Sequence, residues 1–163
     1  MAKTLRGLFV VGALVLAAQA CSGADPTVRG CGSIIRSLRA PGGEGGMRER
    51  FESLEAETQY RVYICGQQAT LPPINFGYEL ARQGERTARH LRVKLASSEH
   101  DRTILDIIYV FSLMTDVSDY DPKSDVAMMR LLDENIKGMS NDQMRNYARG
   151  YYNEILNESR GER

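Results

Sequence analysis

A chain of 163 residues with 42% hydrophobic and 26% charged side chains has the balance of one folded domain and excludes wholesale disorder. Its formal net charge of zero argues against a dedicated nucleic-acid binder, which carries a basic surplus. With no Trp and 7% aromatics, any core must be built from aliphatics, Met and a few Tyr.

Lys3 and Arg6 give the chain a short positive start, and Leu8 to Ala18 is an unbroken run of apolar residues and Gly. Ala18-Gln19-Ala20 then offers the small-residue spacing that a signal peptidase reads. The run is well short of the ~20 residues needed to cross a bilayer permanently. Residues 1–20 therefore read as a secretory signal, and without them the net charge is −2.

The stretch "LVLAAQACSGADP", Leu14 to Pro26, resembles a bacterial lipobox: apolar residues, small residues near the cut, then Cys21. That resemblance implies a diacylglycerol on the Cys21 sulfur and cleavage that leaves Cys21 as the new N-terminus. Ala18 and Gln19 depart from the lipobox pattern, and the same residues satisfy an ordinary A-x-A cut, so the motif leaves both routes open. The cysteine arithmetic favours the lipid. An exported chain normally pairs its thiols, and occupying Cys21 leaves Cys31 and Cys65 free to bridge. Residues 21–30, which include the small, polar "SGADPT" (Ser22 to Thr27), read as anchor and tether. Ser22 after the Cys resembles the enterobacterial signal for the outer membrane, facing the periplasm. The alternative location is soluble, periplasmic or secreted.

Residues 31–157 read as a helical domain. Cys31 to Leu38 places Ile34, Ile35 and Leu38 at helical spacing, and "APGGEGG" (Ala40 to Gly46) should break the helix. A second helix is expected from Met47 to Gln67, with Met47, Phe51 and Leu54 on one face and Cys65 near its end. A Cys31–Cys65 bond would staple these two helices, worth ~2–4 kcal/mol. Asn75 can cap Phe76 to Gln83, and Gly84 supplies a stop. Arg86 to Leu95 follows, with Ala88, Leu91 and Leu95 as its stripe.

Asp101 is placed to cap the most hydrophobic helix, "RTILDIIYVFSLM", whose wide apolar face (Ile104, Ile107, Ile108, Phe111, Met114) makes it central. Asp121-Pro122 is a start signal for Val126 to Lys137, which carries Met128, Leu131, Leu132 and Ile136. Ser140 and Gln143 have capping-box spacing. The last helix should turn Met144, Tyr147, Ala148, Tyr151 and Ile155 inward, and residues 158–163 should fray. Nothing alternates as a strand does. The expected fold is all-α, a compact bundle of five to seven helices.

Phe76 to Met114, with its short helix, Gly turn and Leu-rich second helix, resembles HEAT-type helical hairpins, and "MMRLLDENIKGMSNDQMRNYARGYYNEIL" could form another. A period of ~40–47 residues does not recur. The resemblance implies a stacked helical scaffold that holds a partner.

Catalytic signatures are missing from the sequence: there is no G-x-S-x-G, P-loop, dinucleotide fingerprint, H-E-x-x-H or C-x-x-C. Glu99-His100-Asp101 are adjacent loop residues, poorly arranged to converge on a metal. The acids Asp116, Asp119, Asp121 and Asp125 lack the glycine and closing Glu of a calcium loop and suit helix starts. The best polar candidate is a basic stripe, Arg82, Arg86, Arg89 and His90, which suits an acidic protein, a lipid headgroup or a glycan phosphate. No cofactor or metal is expected.

The sequence thus points to a non-enzymatic envelope protein, lipid-anchored through Cys21, whose helical domain binds another envelope protein as an accessory, assembly or immunity factor. The alternative is an exported enzyme acting on cell-wall or nucleotide material through helix-borne acids such as Glu79, Glu85, Asp106 or Glu134.

Overall fold

The computed structural model describes residues 31–38, 43–68 and 75–157. The expected signal peptide, the expected Cys21 tether and the expected frayed tail at 158–163 lie outside the described residues, as do residues 39–42 and 69–74. Among the described residues there are eight α-helices, one 3-10 turn and no strand. The helices are α1 (Cys31–Leu38), α2 (Gly43–Glu52), α3 (Ala56–Gln68), α4 (Phe76–Arg82), α5 (Glu85–Ala96), α6 (Asp101–Val117), α7 (Val126–Gly138) and α8 (Asp142–Asn157). None is long and apolar enough to cross a membrane.

The apolar stripe of α6 is nearly continuous around the helix, so it must be covered on several sides. Ile107, Ile108, Val110, Phe111 and Met114 are fully buried there. Its most extensive neighbours are α4 and α8, while α5 packs chiefly on α7 and α3 chiefly on α1. From α3 to α8, each helix leans most heavily on one two elements away. α4, α6 and α8 form one row, and α3, α5 and α7 form the other.

The fold is the compact all-α bundle expected, and its eighth helix arises because the helix predicted over Met47–Gln67 is interrupted at 53–55. The cause lies in a side chain further along. Gln59, 1% exposed, donates from Nε2 to the carbonyls of Phe51 (3.0 Å) and Glu52 (3.2 Å), closing the end of α2. The hydroxyl of Ser53 donates to the Arg50 carbonyl at 2.8 Å. Phe51 then stacks on Phe76 with ring centroids 4.3 Å apart, tying α2 to α4.

The glycine run is a second correction, because α2 begins at Gly43 and runs through it. Glycines weaken a helix by up to ~1 kcal/mol each, but Gly46 leaves space that the fold uses. A Cβ there would lie 3.2 Å from Nη1 of Arg50. Arg50 reaches back to the Leu38 carbonyl through Nε (3.2 Å) and Nη2 (2.8 Å), satisfying the end of α1.

Gly84 has φ +57°, a backbone state that side chains disfavour, and it lets the chain fold directly from α4 into α5. Three starts differ from expectation. Pro122–Ser124 form a separate 3-10 turn, and α7 is capped by Asp125, whose carboxylate accepts from the Met128 N–H at 2.9 Å. α8 is capped by Asn141, not Ser140, through the Met144 N–H at 3.0 Å. Asp101 is the first residue of α6, not its cap. Its carboxylate accepts from Ser140 Oγ (2.8 Å) and the Asn141 N–H (2.6 Å), pinning the α7–α8 turn. On α8, Ala148 and Ile155 are buried as expected, whereas Tyr147 is 55% exposed.

Candidate functional site

Cys31 opens α1 and Cys65 lies in the second half of α3. The two are joined in a disulfide, with Cα atoms 5.2 Å apart and 34 residues of separation. The bond fixes α1 against α3, where Tyr60, Val62, Tyr63 and Ile64 form part of the core.

The four residues of the predicted basic stripe do not share one environment. Arg82 stays at the surface, its side chain 56% exposed, while its Nη1 lies 3.2 Å from Oε2 of the buried Glu79. Arg48 from α2 holds the other oxygen at 3.1 Å. His90 turns toward α3, its Nε2 3.4 Å from Glu57 and its ring edge-on to Tyr60 at 5.9 Å. Burial, assisted by the neighbouring Lys94 and opposed by Glu57, lowers the imidazole below its usual range, so it is neutral at pH 7. Lys94 itself binds Glu57 at 2.7 Å and lies over the Tyr60 ring.

Arg86 and Arg89 remain on the outward ridge of α5, beside the exposed Val93. Arg89 meets Glu85 only loosely, at 3.9 Å, and Arg86 has no ion-pair partner among the described residues. On the opposite flank, Arg92 pairs with Asp125, which also accepts from the Tyr120 hydroxyl at 3.0 Å. Burial pushes the Asp125 carboxyl up, but hydrogen bonds from Met128, Tyr120 and Arg92 together hold it below the usual range. The stripe is therefore a ridge of two arginines and a valine, with Arg82 paired to Glu79 at the surface and His90 neutral and partly buried against α3.

A cleft of about 600 Å³ opens beside the α4–α5 turn. Arg82, Gln83, Gly84 and Glu85 line one wall, and Asp119, Tyr120, Asp121 and Ser124 the other. Its lining is polar, with one arginine already bound to Glu79, and it suits hydrogen-bonding groups more than an apolar ligand.

The four acids of the enzyme alternative have separate settings. Glu79 lies between two arginines, Glu85 faces Arg89, and Glu134 is exposed on α7. Asp106 is enclosed on α6, 4% exposed, with Arg102 Nε 3.2 Å from its Oδ1. Burial, partly offset by Arg102, raises its pKa to about 6. Tyr63 donates its hydroxyl to the Asp106 carbonyl at 2.6 Å, and Arg102 also donates to the Gln67 carbonyl at 3.2 Å.

Sequence reasoning missed the roles of Arg48 and Arg102. The available signal was an acid inside an apolar run, as Asp106 is in "TILDIIYVF", which demands a partner if the run is buried. Among the described residues no three His, Cys, Asp or Glu are placed to hold a metal ion. Asp121 instead accepts from the Lys123 N–H at 3.1 Å, closing the 3-10 turn.

No family model, curated protein or solved structure matches this chain.

Proposed function

We propose that the chain is a non-enzymatic envelope lipoprotein, anchored through Cys21, whose disulfide-bonded helical domain binds another envelope protein. The observation that carries this reading is the Cys31–Cys65 bond. It is the covalent chemistry of an oxidising compartment. It also consumes two of the three cysteines, leaving Cys21, the one that follows the signal-like run, for the lipid. The anchored domain would lie at the outer membrane, facing the periplasm. Arg86, Arg89 and Val93 on the α5 ridge are the residues that a partner would meet first.

Intact mass of the protein recovered from membranes tests the reading. The expected species begins at Cys21, carries the mass of a triacylated cysteine, and gains one hydrogen per sulfur at Cys31 and Cys65 on reduction. A chain starting at an unmodified Cys21 refutes the anchor, and no gain on reduction refutes the compartment. The alternative, an exported enzyme, would need two of its acids in one cleft. Glu79 is held by two arginines and Asp106, on another helix, by a third, so no observation favours it.

A further inference from the structure

Asp106 sits where three helices meet. It lies on α6, with Tyr63 of α3 bonded to its own carbonyl and Tyr151 of α8 across the junction, where the Tyr109 and Tyr151 rings are 5.1 Å apart. From α4's N-cap, Asn75 donates to the Tyr109 hydroxyl at 2.9 Å. The carboxylate side chain is 6% exposed, while the guanidinium that faces it belongs to a residue whose side chain is 46% exposed. A carboxylate enclosed in this way has given up water on every side except that of a single cation, which is a costly arrangement.

We propose that Asp106 is a proton-operated switch for the α3–α6–α8 junction. Protonated, it occupies the junction as a neutral carboxyl and the three helices close around it. Ionised, it draws on Arg102 and demands solvent, which favours opening of α3 or α8 away from α6. The tightness of the domain then follows the pH around it. The switch is a property of the fold alone. Only its physiological trigger rests on the envelope reading, since a compartment outside the inner membrane takes the pH of the medium.

The groups around Asp106 leave it as the titrating member. On its own helix stand Arg102, a guanidinium and so a permanent cation, and Tyr109. From α3, Tyr63 is kept protonated, its pKa raised by burial and then by Asp106. From α8, Tyr151 is raised by burial first, with Tyr109, Glu154 and Asp106 adding to it. At the N-cap of α4 the uncharged Asn75 amide bonds Tyr109, and among the described residues the charge that bears on Asp106 is that of Arg102.

With its pKa raised to about 6, folded Asp106 binds a proton over a window, from roughly pH 4 to 6, in which the unfolded chain has released it. Stability from this group is therefore greatest in acid and is lost as pH rises through the folded value. The folded carboxyl titrates about two pH units above the unfolded one, and each unit changes the folding equilibrium constant ten-fold, so the whole window is worth about 100-fold.

The test uses the protein as the cell processes it, disulfide intact. Urea unfolding of wild type and Asp106→Asn is followed from pH 4 to 8, and the Asp106 carboxyl carbon is titrated by NMR in the wild type. The expected result is a carboxyl midpoint near 6 and a wild-type folding constant that falls about 100-fold relative to Asp106→Asn across the range. Amide protection in α6 and α8, compared with the variant at each pH, should fall over the same window. A midpoint near 4, or parallel pH profiles for the two proteins, overturns the proposal. If the variant does not fold, the wild-type carboxyl titration decides alone. Loss of the lipid or of the disulfide would refute the functional reading above without touching this one.

Discussion

Replacing both Cys31 and Cys65 by Ser opens a covalent loop defined by 34 residues of sequence separation. In the chain-entropy account, closing a loop of that length removes about 13 cal/mol/K from the unfolded state, or about 4 kcal/mol at 25 °C. Little packing stands behind the bond at the α1 end: Leu38 is buried, but Ile34 and Ile35 are only partly covered and the helix is eight residues long. Such a helix does not persist unaided in water. The double variant should lose about 4 kcal/mol, a large part of the ~5–15 kcal/mol typical of a domain. Against a urea slope of about 2 kcal/mol/M, the midpoint moves down by about 2 M. Reductant should move the wild type to the same place and leave the variant unchanged, and hydrogen exchange should show α1 released while α6 stays protected. Oxidised, reduced and variant proteins with midpoints within about 0.3 M of one another would refute the reasoning. So would α1 amides that stay fully protected without the bond.

Glu79→Gln removes the charge that Arg48 and Arg82 share and should cost about 1–3 kcal/mol in urea unfolding, because charge-assisted bonds to a buried acceptor are lost while both arginines still reach solvent. No loss of stability would mean that α2 is held to α4 by the Phe51–Phe76 stack alone. Gly84→Ala forces a side chain onto a φ of +57° and should cost about 1–3 kcal/mol by thermal or urea unfolding. An unchanged midpoint would deny the strain. Asp125 is held below the usual carboxylate range, so its contribution is full above about pH 4 and is lost as pH falls through its lower folded value. Asp125→Asn should therefore flatten the acid limb of the stability curve, and superimposable limbs would rule this out.

Much of the helical order was legible because it is local. The apolar residues of α6, from Ile104 to Met114, recur so densely that no other element could occupy the centre. Asn75 caps α4 through the Gly77 N–H as its position suggested. The misreadings fall where a distant partner decides. No pattern near Ser53 announces that Gln59 will close α2, and no pattern near Gly43 announces that Arg50 needs the room a glycine leaves. The basic stripe failed as a unit partly for the same reason. Helical spacing places Arg86 and Arg89 on one ridge, but the Glu57 beside His90 comes from α3, while Arg82 is held by Glu79 one turn earlier on its own helix. Asp106 stood out only as an acid in an apolar run, and its setting depended on the packing of α3 and α8.

The disulfide also sets how the domain would carry a mechanical load. A pull arriving from the N-terminal side meets Cys31 at the first turn of α1 and crosses directly into α3 through the sulfur atoms. Residues 32–64 lie inside the covalent loop and bear none of that tension. Were the chain anchored at Cys21 as proposed, the force of a bound partner would be borne by α3 and the core behind it. The glycine-rich start of α2 and the bonds that close its neighbourhood, Arg50 to Leu38 and Gln59 to Phe51, would remain slack.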